Sequence, residues 1–238
     1  MSNNPIGVFD SGVGGLCVLR KCMEAMPCEH FVYLADSANM PYGERSATDI
    51  KRAACACAET LFDMNCKAVV VACNTATETA IEDIRSLYPD KTVVGLEPAV
   101  KPCYGELDCG YAVALVTPAT ARSEKFGSLI RLCGGKIIPS PQPKLAAVIE
   151  SLIGEPSRLR PVVGDILEPY KDARAVVLGC SHYTYLTSLI DEFYGGKIKI
   201  YDGAGGAAQR LKSLLEKADL CADGGTVGSV RFYSTYKI

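Results

Sequence analysis

Eight short apolar runs, nearly continuous and rich in β-branched residues, alternate along this 238-residue chain with segments of helical spacing. No other feature restricts the fold as much. The runs cover 6–10, 31–35, 68–72 and 92–96, then 111–116, 136–139, 175–179 and 198–201. A strand that is apolar at nearly every position needs cover on both faces, the condition of a strand inside a parallel sheet; a strand with one wet face would alternate. Between the runs lie segments such as SATDIKRAACACAETLFDM (46–64), where Ser46 and Asp49 stand as N-cap and N3 of a helix. Strands alternating with helices predict an α/β protein with mainly parallel sheets.

The alternation is written twice. KAVVVACNTAT (67–77) and RAVVLGCSHYT (174–184) each carry a buried strand into a cysteine, and Cys73 and Cys180 lie 107 residues apart. Asp10 and Thr117, each ending the first strand of its set, have the same separation, and Glu97 and Asp202 close the fourth strands 105 apart. This predicts two pseudo-symmetric domains, each with a mainly parallel four-stranded central sheet flanked by helices, and an active site in the interdomain cleft. The join falls near EPAVKPCYGELD (97–108), giving a first domain of 1–97 plus about 205–238 and a second of 98–204. The tail GGTVGSVRFYSTYKI (224–238) reads as one further strand, antiparallel, returning to the first half.

Composition excludes several classes of function. A net charge of −2 leaves no electrostatic footprint for nucleic acid. No apolar run approaches the roughly 18 residues that span a bilayer, and the opening MSNNPIGVFD lacks the basic and apolar regions of a leader, so a cytoplasmic protein is expected. Twelve cysteines are too few for a disulfide scaffold of this length, and neither Cys55-Ala-Cys57 nor the Cys22/Cys28 pair has zinc-ligand spacing, so no metal is expected. Most of the cysteines read as small buried hydrophobes.

Cys73 and Cys180 are different. In an open α/β sheet, ligands bind outside the carboxyl ends of the strands. Each of the two cysteines stands there, before a predicted helix whose N-terminus favours a thiolate. Two acid/base groups facing one carbon from opposite sides suit removal of a proton on one face and its return on the other. Other strand ends supply polar partners. Asp10 and Ser11 precede a glycine turn in FDSGVGG, whose spacing fits neither a dinucleotide nor a P-loop motif. The loop MPYGERS offers Pro41, Tyr42, Gly43 and backbone N–H groups, and TPAT offers Thr117 and Thr120. Asn74, Thr75 and Ser181 flank the cysteines, while His182 stands two residues past Cys180, placed to polarise its thiol or orient a carboxylate. With Arg45 and Arg122 only at the edges of these segments, ligand carboxylates are expected to be held mainly by neutral donors.

Taken together, GVFDSGVGGL, ADSANMPYGERS, VVACNTATETA, VGLEPAVKP, VTPATARSEKF and VVLGCSHYTYL resemble the glutamate racemases of the aspartate/glutamate racemase superfamily, in order from residue 6 to 186. The resemblance implies cofactor-independent interconversion of L- and D-glutamate for peptidoglycan synthesis, and a homodimer. It implies Cys73 and Cys180 as the two bases, Asp10 assisting Cys73, and His182 assisting Cys180. It also implies a role for Glu150, through the weaker motif KLAAVIESL, and substrate contacts from the strand-end residues above. The second cysteine motif departs from the family's usual C-T-H-[YF]-P-L-L at Ser181, which keeps the hydroxyl, and at Thr184 and Tyr185, which alter the pocket wall or a neighbouring surface. Rival readings are an aspartate or hydantoin racemase, a one-cysteine decarboxylase, and a non-catalytic binding protein on the same scaffold. The second strand-end cysteine counts against the decarboxylase.

Overall fold

The computed structural model describes residues 2–236. Its elements in chain order are β1 (Ile6–Asp10), α1 (Leu16–Ala25), β2 (Phe31–Ala35), α2 (Ala47–Asp63), β3 (Ala68–Val71), α3 (Asn74–Leu87), β4 (Thr92–Gly95) and α4 (Val100–Glu106). There follow β5 (Ala112–Val116), α5 (Pro118–Arg122), α6 (Glu124–Leu132), β6 (Ile137–Pro141), α7 (Leu145–Ser151), α8 (Pro156–Leu167), β7 (Ala175–Gly179), α9 (Thr187–Phe193) and β8 (Lys199–Asp202). The chain continues through α10 (Ala204–Lys217) and β9 (Val230–Ser234). All eight expected strands form, with ends displaced by at most two residues. Ser46 caps α2, its hydroxyl accepting from the Asp49 N–H at 3.1 Å.

The strands make two sheets, ordered β4-β3-β1-β2-β9 and β6-β5-β7-β8. Read in reverse, the second is β8-β7-β5-β6, the order of the first four strands with each replaced by its counterpart. The sequence repeat is therefore a repeat of topology. Every strand pair is parallel.

That corrects the expectation for the tail, which is parallel to β2 in the register Phe31↔Val230 to Ala35↔Ser234. The connection decides the direction. After α10 the chain returns to the start of β2, where the Ser229 carbonyl accepts from the Phe31 N–H at 2.8 Å and the Gly228 N–H donates to the Pro27 carbonyl at 2.9 Å. Entering beside the beginning of β2, β9 can only run alongside it.

The central strands of each sheet are covered on both faces, as their unbroken apolar runs require, while the outer strands β6, β8 and β9 are partly exposed. On β1 and β2, Ile6, Val8, Phe31 and Tyr33 face α1 and α10, while Phe9, Val32 and Leu34 face α2 and α3. The second sheet divides likewise, with Val113, Leu115, Val176 and Leu178 on one side and Ala112, Ala114, Val116 and Val177 on the other. Each fully buried Val or Leu contributes about 1.5–3 kcal/mol, so these strands are held chiefly by their side chains. At the end of the first sheet away from the strand tips, the buried pair Lys67–Glu29 closes at 2.6 Å. Lys67 also donates to the Ser2 carbonyl and Glu29 accepts from the Ala222 N–H, which ties both ends of the chain to the start of β3. No helix among the described residues is long and apolar enough to cross a membrane.

Candidate active site

The carboxyl ends of the two sheets face one small space of about 20 Å³, lined from the first sheet by Ser11, Pro41, Tyr42, Gly43, Cys73 and Thr75. From the second sheet come Thr117, Gln142, Lys144, Cys180, His182 and Tyr183. A larger groove of about 1000 Å³ runs along β4 and α10, lined by Arg85, Lys101 and Arg210 among others, but it holds neither cysteine nor histidine. The chemistry-bearing side chains converge on the smaller space.

Cys73 stands two residues past β3 and is the N-cap residue of α3, a 14-residue helix. Its thiol is buried and points its hydrogen toward Ser11 Oγ at 3.9 Å. Burial, reinforced by the Asp10 carboxylate, pushes the thiol well above its ordinary value, and the Ala76 N–H in the first turn of α3 only partly offsets this. Cys180 directly follows β7 and is also buried, and the helix expected after it opens as a 3₁₀ segment, Ser181–Leu186, that runs into α9. The Cys180 thiol is hydrogen-bonded with the His182 side chain.

Asp10 sits wholly buried at the tip of β1. One oxygen accepts from the Gly12 N–H and the other from Ser181 Oγ, both at 2.9 Å, so a carboxylate of the first sheet is held by a hydroxyl of the second. Thr75, Thr117 and Thr120 form a second bridge, a chain of buried hydroxyls at 2.9 and 3.0 Å. Asn74 donates to the Leu96 carbonyl at 3.0 Å, and its own Oδ1, buried, has no partner among the described residues.

The glycine turn has a clear steric purpose. A Cβ added at Gly14 would lie 2.5 Å from His182 Nδ1, 2.6 Å from Ser181 Oγ and 2.7 Å from the His182 backbone nitrogen. One added at Gly12 would overlap the Glu150 carboxylate. Gly12 and Gly14 lack side chains where the second half of the molecule presses against the turn, whereas Gly15 is crowded by Asp10, Ala72 and Tyr33 of the first half.

His182 Nε2 lies 2.5 Å from Glu150 Oε2, on α7. Burial opposes a charge on the imidazole, but hydrogen bonds with the Cys180 and Glu150 side chains, together with the Asp10 carboxylate, outweigh it and hold the His182 pKa well above its ordinary value. A group bound more tightly to its proton when folded stabilises the protein fully below its unfolded pKa of about 6.5, and that stabilisation is lost as pH rises through the folded value. Glu150→Gln removes the charged partner. The stability gap between wild type and this variant is therefore expected to be about 1–2 kcal/mol at pH 6.5 and to shrink toward alkaline pH. Urea denaturation at pH 6.5 and pH 9.5 measures it, and a gap that stays constant contradicts an ion-paired His182.

Of the residues singled out in the sequence, Ser11, Pro41, Tyr42, Gly43, Cys73, Thr75, Thr117, Cys180 and His182 line the cavity. Thr120 and Glu150 stand behind them, bonded to Thr117 and His182, while Asp10 and Ser181 bond each other and Asn74 bonds the Leu96 carbonyl. Thr184 and Tyr185 do not reach the cavity: Thr184 Oγ1 donates to the Ser181 carbonyl at 2.8 Å and the Tyr185 hydroxyl to the Val13 carbonyl at 3.2 Å, so their departure remodels the neighbouring surface. Two residues carried no motif to find them by, Gln142 and Lys144, which follow β6. Asp36 stands in the segment ADSANMPYGERS without being singled out there; it lies buried beneath Tyr42, accepting from its hydroxyl at 2.5 Å. Among the described residues no group of three or more His, Cys, Asp or Glu side chains is arranged to hold a metal ion.

Two α/β halves thus meet at a pair of strand-end cysteines. The Asp/Glu/Hydantoin racemase family model matches residues 12–211, and the chain belongs to that family of isomerases. It is 37% identical to the glutamate racemase of Clostridium perfringens over 99% of this chain and 92% of that one. The crystal structure of a glutamate racemase isoform of Bacillus anthracis superposes with a TM-score of 0.88 at 28% identity, covering 100% of this chain and 90% of that one. The Francisella tularensis glutamate racemase, solved in complex with D-glutamate, gives 0.81 at 28% identity, with 100% and 90% covered.

Proposed function

We propose that this protein interconverts L- and D-glutamate without a cofactor, using Cys73 and Cys180 as its two bases. The observation that carries the reading is that two buried cysteines, one from each half, line a single small cavity. From D-glutamate, the Cys73 thiolate takes the α-proton; an S–H bond forms, and the C–H electron pair passes into an enediolate on the substrate carboxylate. The Cys180 thiol then delivers its proton to the opposite face of Cα. From L-glutamate the roles reverse.

An α-proton of an amino acid is weakly acidic, so the enediolate must be met by donors already in place. Ser11, Thr75, Asn74, Thr117 and backbone N–H groups of the Pro41–Gly43 loop surround the site, with Thr120 and Ser181 fixing their neighbours. Asp10 beside Cys73 and His182 beside Cys180 differ in charge, so the two thiols are activated differently. His182 brings a positive charge to Cys180. At Cys73 burial, with the Asp10 charge added to it, holds the free thiol protonated, and the substrate's α-ammonium offsets the Asp10 part. A space of about 20 Å³ takes roughly one water molecule, so the halves must part to admit glutamate and re-form around it.

The same reading treats the two sheets as domains of 1–97 plus about 205–238 and 98–204, in a cytoplasmic homodimer that supplies D-glutamate for peptidoglycan. Its test is circular dichroism of L-glutamate with purified protein, dialysed exhaustively against chelator and given no pyridoxal phosphate. The signal is expected to decay to zero, with kcat/KM at least about tenfold above that for L-aspartate, because a shorter substrate leaves buried donors unpaired. Dependence on metal or pyridoxal phosphate defeats the mechanism, and equal turnover of aspartate defeats the substrate.

A further inference from the structure

We propose that Thr235, just beyond β9, is a positioning residue for the substrate loop Pro41–Gly43, acting through Asp36. The inference rests on the reading of this cavity as the glutamate site. Asp36 follows β2 and is 1% exposed. Among the described residues no lysine, arginine or histidine pairs with it, so this buried carboxylate depends on neutral donors, which must satisfy it fully. Asn39 Nδ2 reaches both oxygens at 3.1 and 3.0 Å. The Tyr42 hydroxyl donates to Oδ2 at 2.5 Å and the Thr235 hydroxyl to Oδ1 at 2.8 Å.

Each partner does a different job. Tyr42, 1% exposed, holds the loop that lines the cavity with Cys73, and the next residue, Gly43, lies close against Thr117 of the second half. Asn39 belongs to the same loop; Thr235 comes from the far end of the chain. It is tied in twice more, its N–H donating to the Ala35 carbonyl at 3.0 Å and its Oγ1 accepting from the Ala38 N–H at 3.1 Å. β9 is paired to β2 through backbone along its whole length, so the strand does not need this hydroxyl to stay in place. What the hydroxyl adds is a fixed position for the carboxylate that anchors Tyr42. The C-terminal strand thereby clamps a loop that must release and regrip the substrate in each turnover.

The test compares wild type with Thr235→Val, which keeps the shape and loses the hydroxyl, Thr235→Ser, which keeps the hydroxyl, and Arg231→Ala, an exposed change on the same strand. Thr235→Val is expected to raise KM for glutamate about 3- to 10-fold with kcat within about twofold, since a lost hydrogen bond to a charged group is only partly recovered by water. Thr235→Ser and Arg231→Ala are expected to match wild type. Amide hydrogen exchange across 36–45 should quicken in Thr235→Val, with β5 to β8 unchanged; should that variant fold poorly, Thr235→Ala serves for the same comparison. Unchanged KM and unchanged exchange across 36–45, or an equal defect in Thr235→Ser, overturns the proposal. If wild type does not racemise glutamate, the substrate reading fails, and the exchange comparison alone still decides whether Thr235 holds the Tyr42 loop.

Discussion

Cys73→Ser and Cys180→Ser are each expected to lose glutamate racemisation by several orders of magnitude while remaining folded. The substitution replaces a thiol by a hydroxyl, intrinsically a far weaker acid that is essentially un-ionised at neutral pH, with a change of one atom in a buried site. Racemisation needs a base on one face of Cα and an acid on the other, so neither cysteine can substitute for its counterpart. The two losses should differ in direction. In D₂O, Cys180→Ser retains the base facing the α-proton of D-glutamate, and Cys73→Ser retains the one facing that of L-glutamate. Any residual exchange of the α-proton should follow that division, without inversion. Polarimetry and proton NMR measure both, and robust racemisation by either variant shows that the paired cysteines are not the two bases.

The second large effect is expected at a residue with no functional group. Gly14→Ala should lower kcat/KM about a hundredfold or more, because displacing a reacting group by about 1 Å costs that much. The added Cβ would meet His182 Nδ1 at 2.5 Å and the His182 backbone nitrogen at 2.7 Å, and backbone cannot step aside as a long side chain can. The clash exists only while the two halves are together. Parted, they accommodate alanine, so the thermal midpoint should fall far less than the activity. Gly105→Ala, with open space around it in α4, is the control and should leave activity unchanged. Activity near wild type in Gly14→Ala removes the close contact between the glycine turn and His182 from the catalytic argument.

Local pattern alone determined a good deal here. Strands such as AVVVA and AVVLG are apolar at every position, and only a parallel sheet covered on both faces can bury them, so the α/β class and eight strand positions were legible. The near-constant spacing of Asp10/Thr117 and Cys73/Cys180 carried the repeat, because equal lengths of strand and helix build equal topologies. The cavity-lining residues beside those strand ends were legible for the same reason: the end of a parallel strand is where the chain leaves the core and meets a ligand.

Pairing across distance was not legible. Nothing local sets the direction of β9, since a single edge strand reads alike in either sense; the return path of the chain to the start of β2 decided it. Asp36 looks like any polar residue after a strand until Tyr42 and Thr235, one of them 199 positions away, are seen to donate to it. The glycine turn resembles a weak phosphate loop in one dimension, and only the approach of His182 and Glu150 from the other sheet shows that its missing side chains make room for protein. Hydrogen bonds and close contacts of this kind depend on which surfaces the fold brings together, and that information lies in the packing of the two sheets rather than in any window of the sequence.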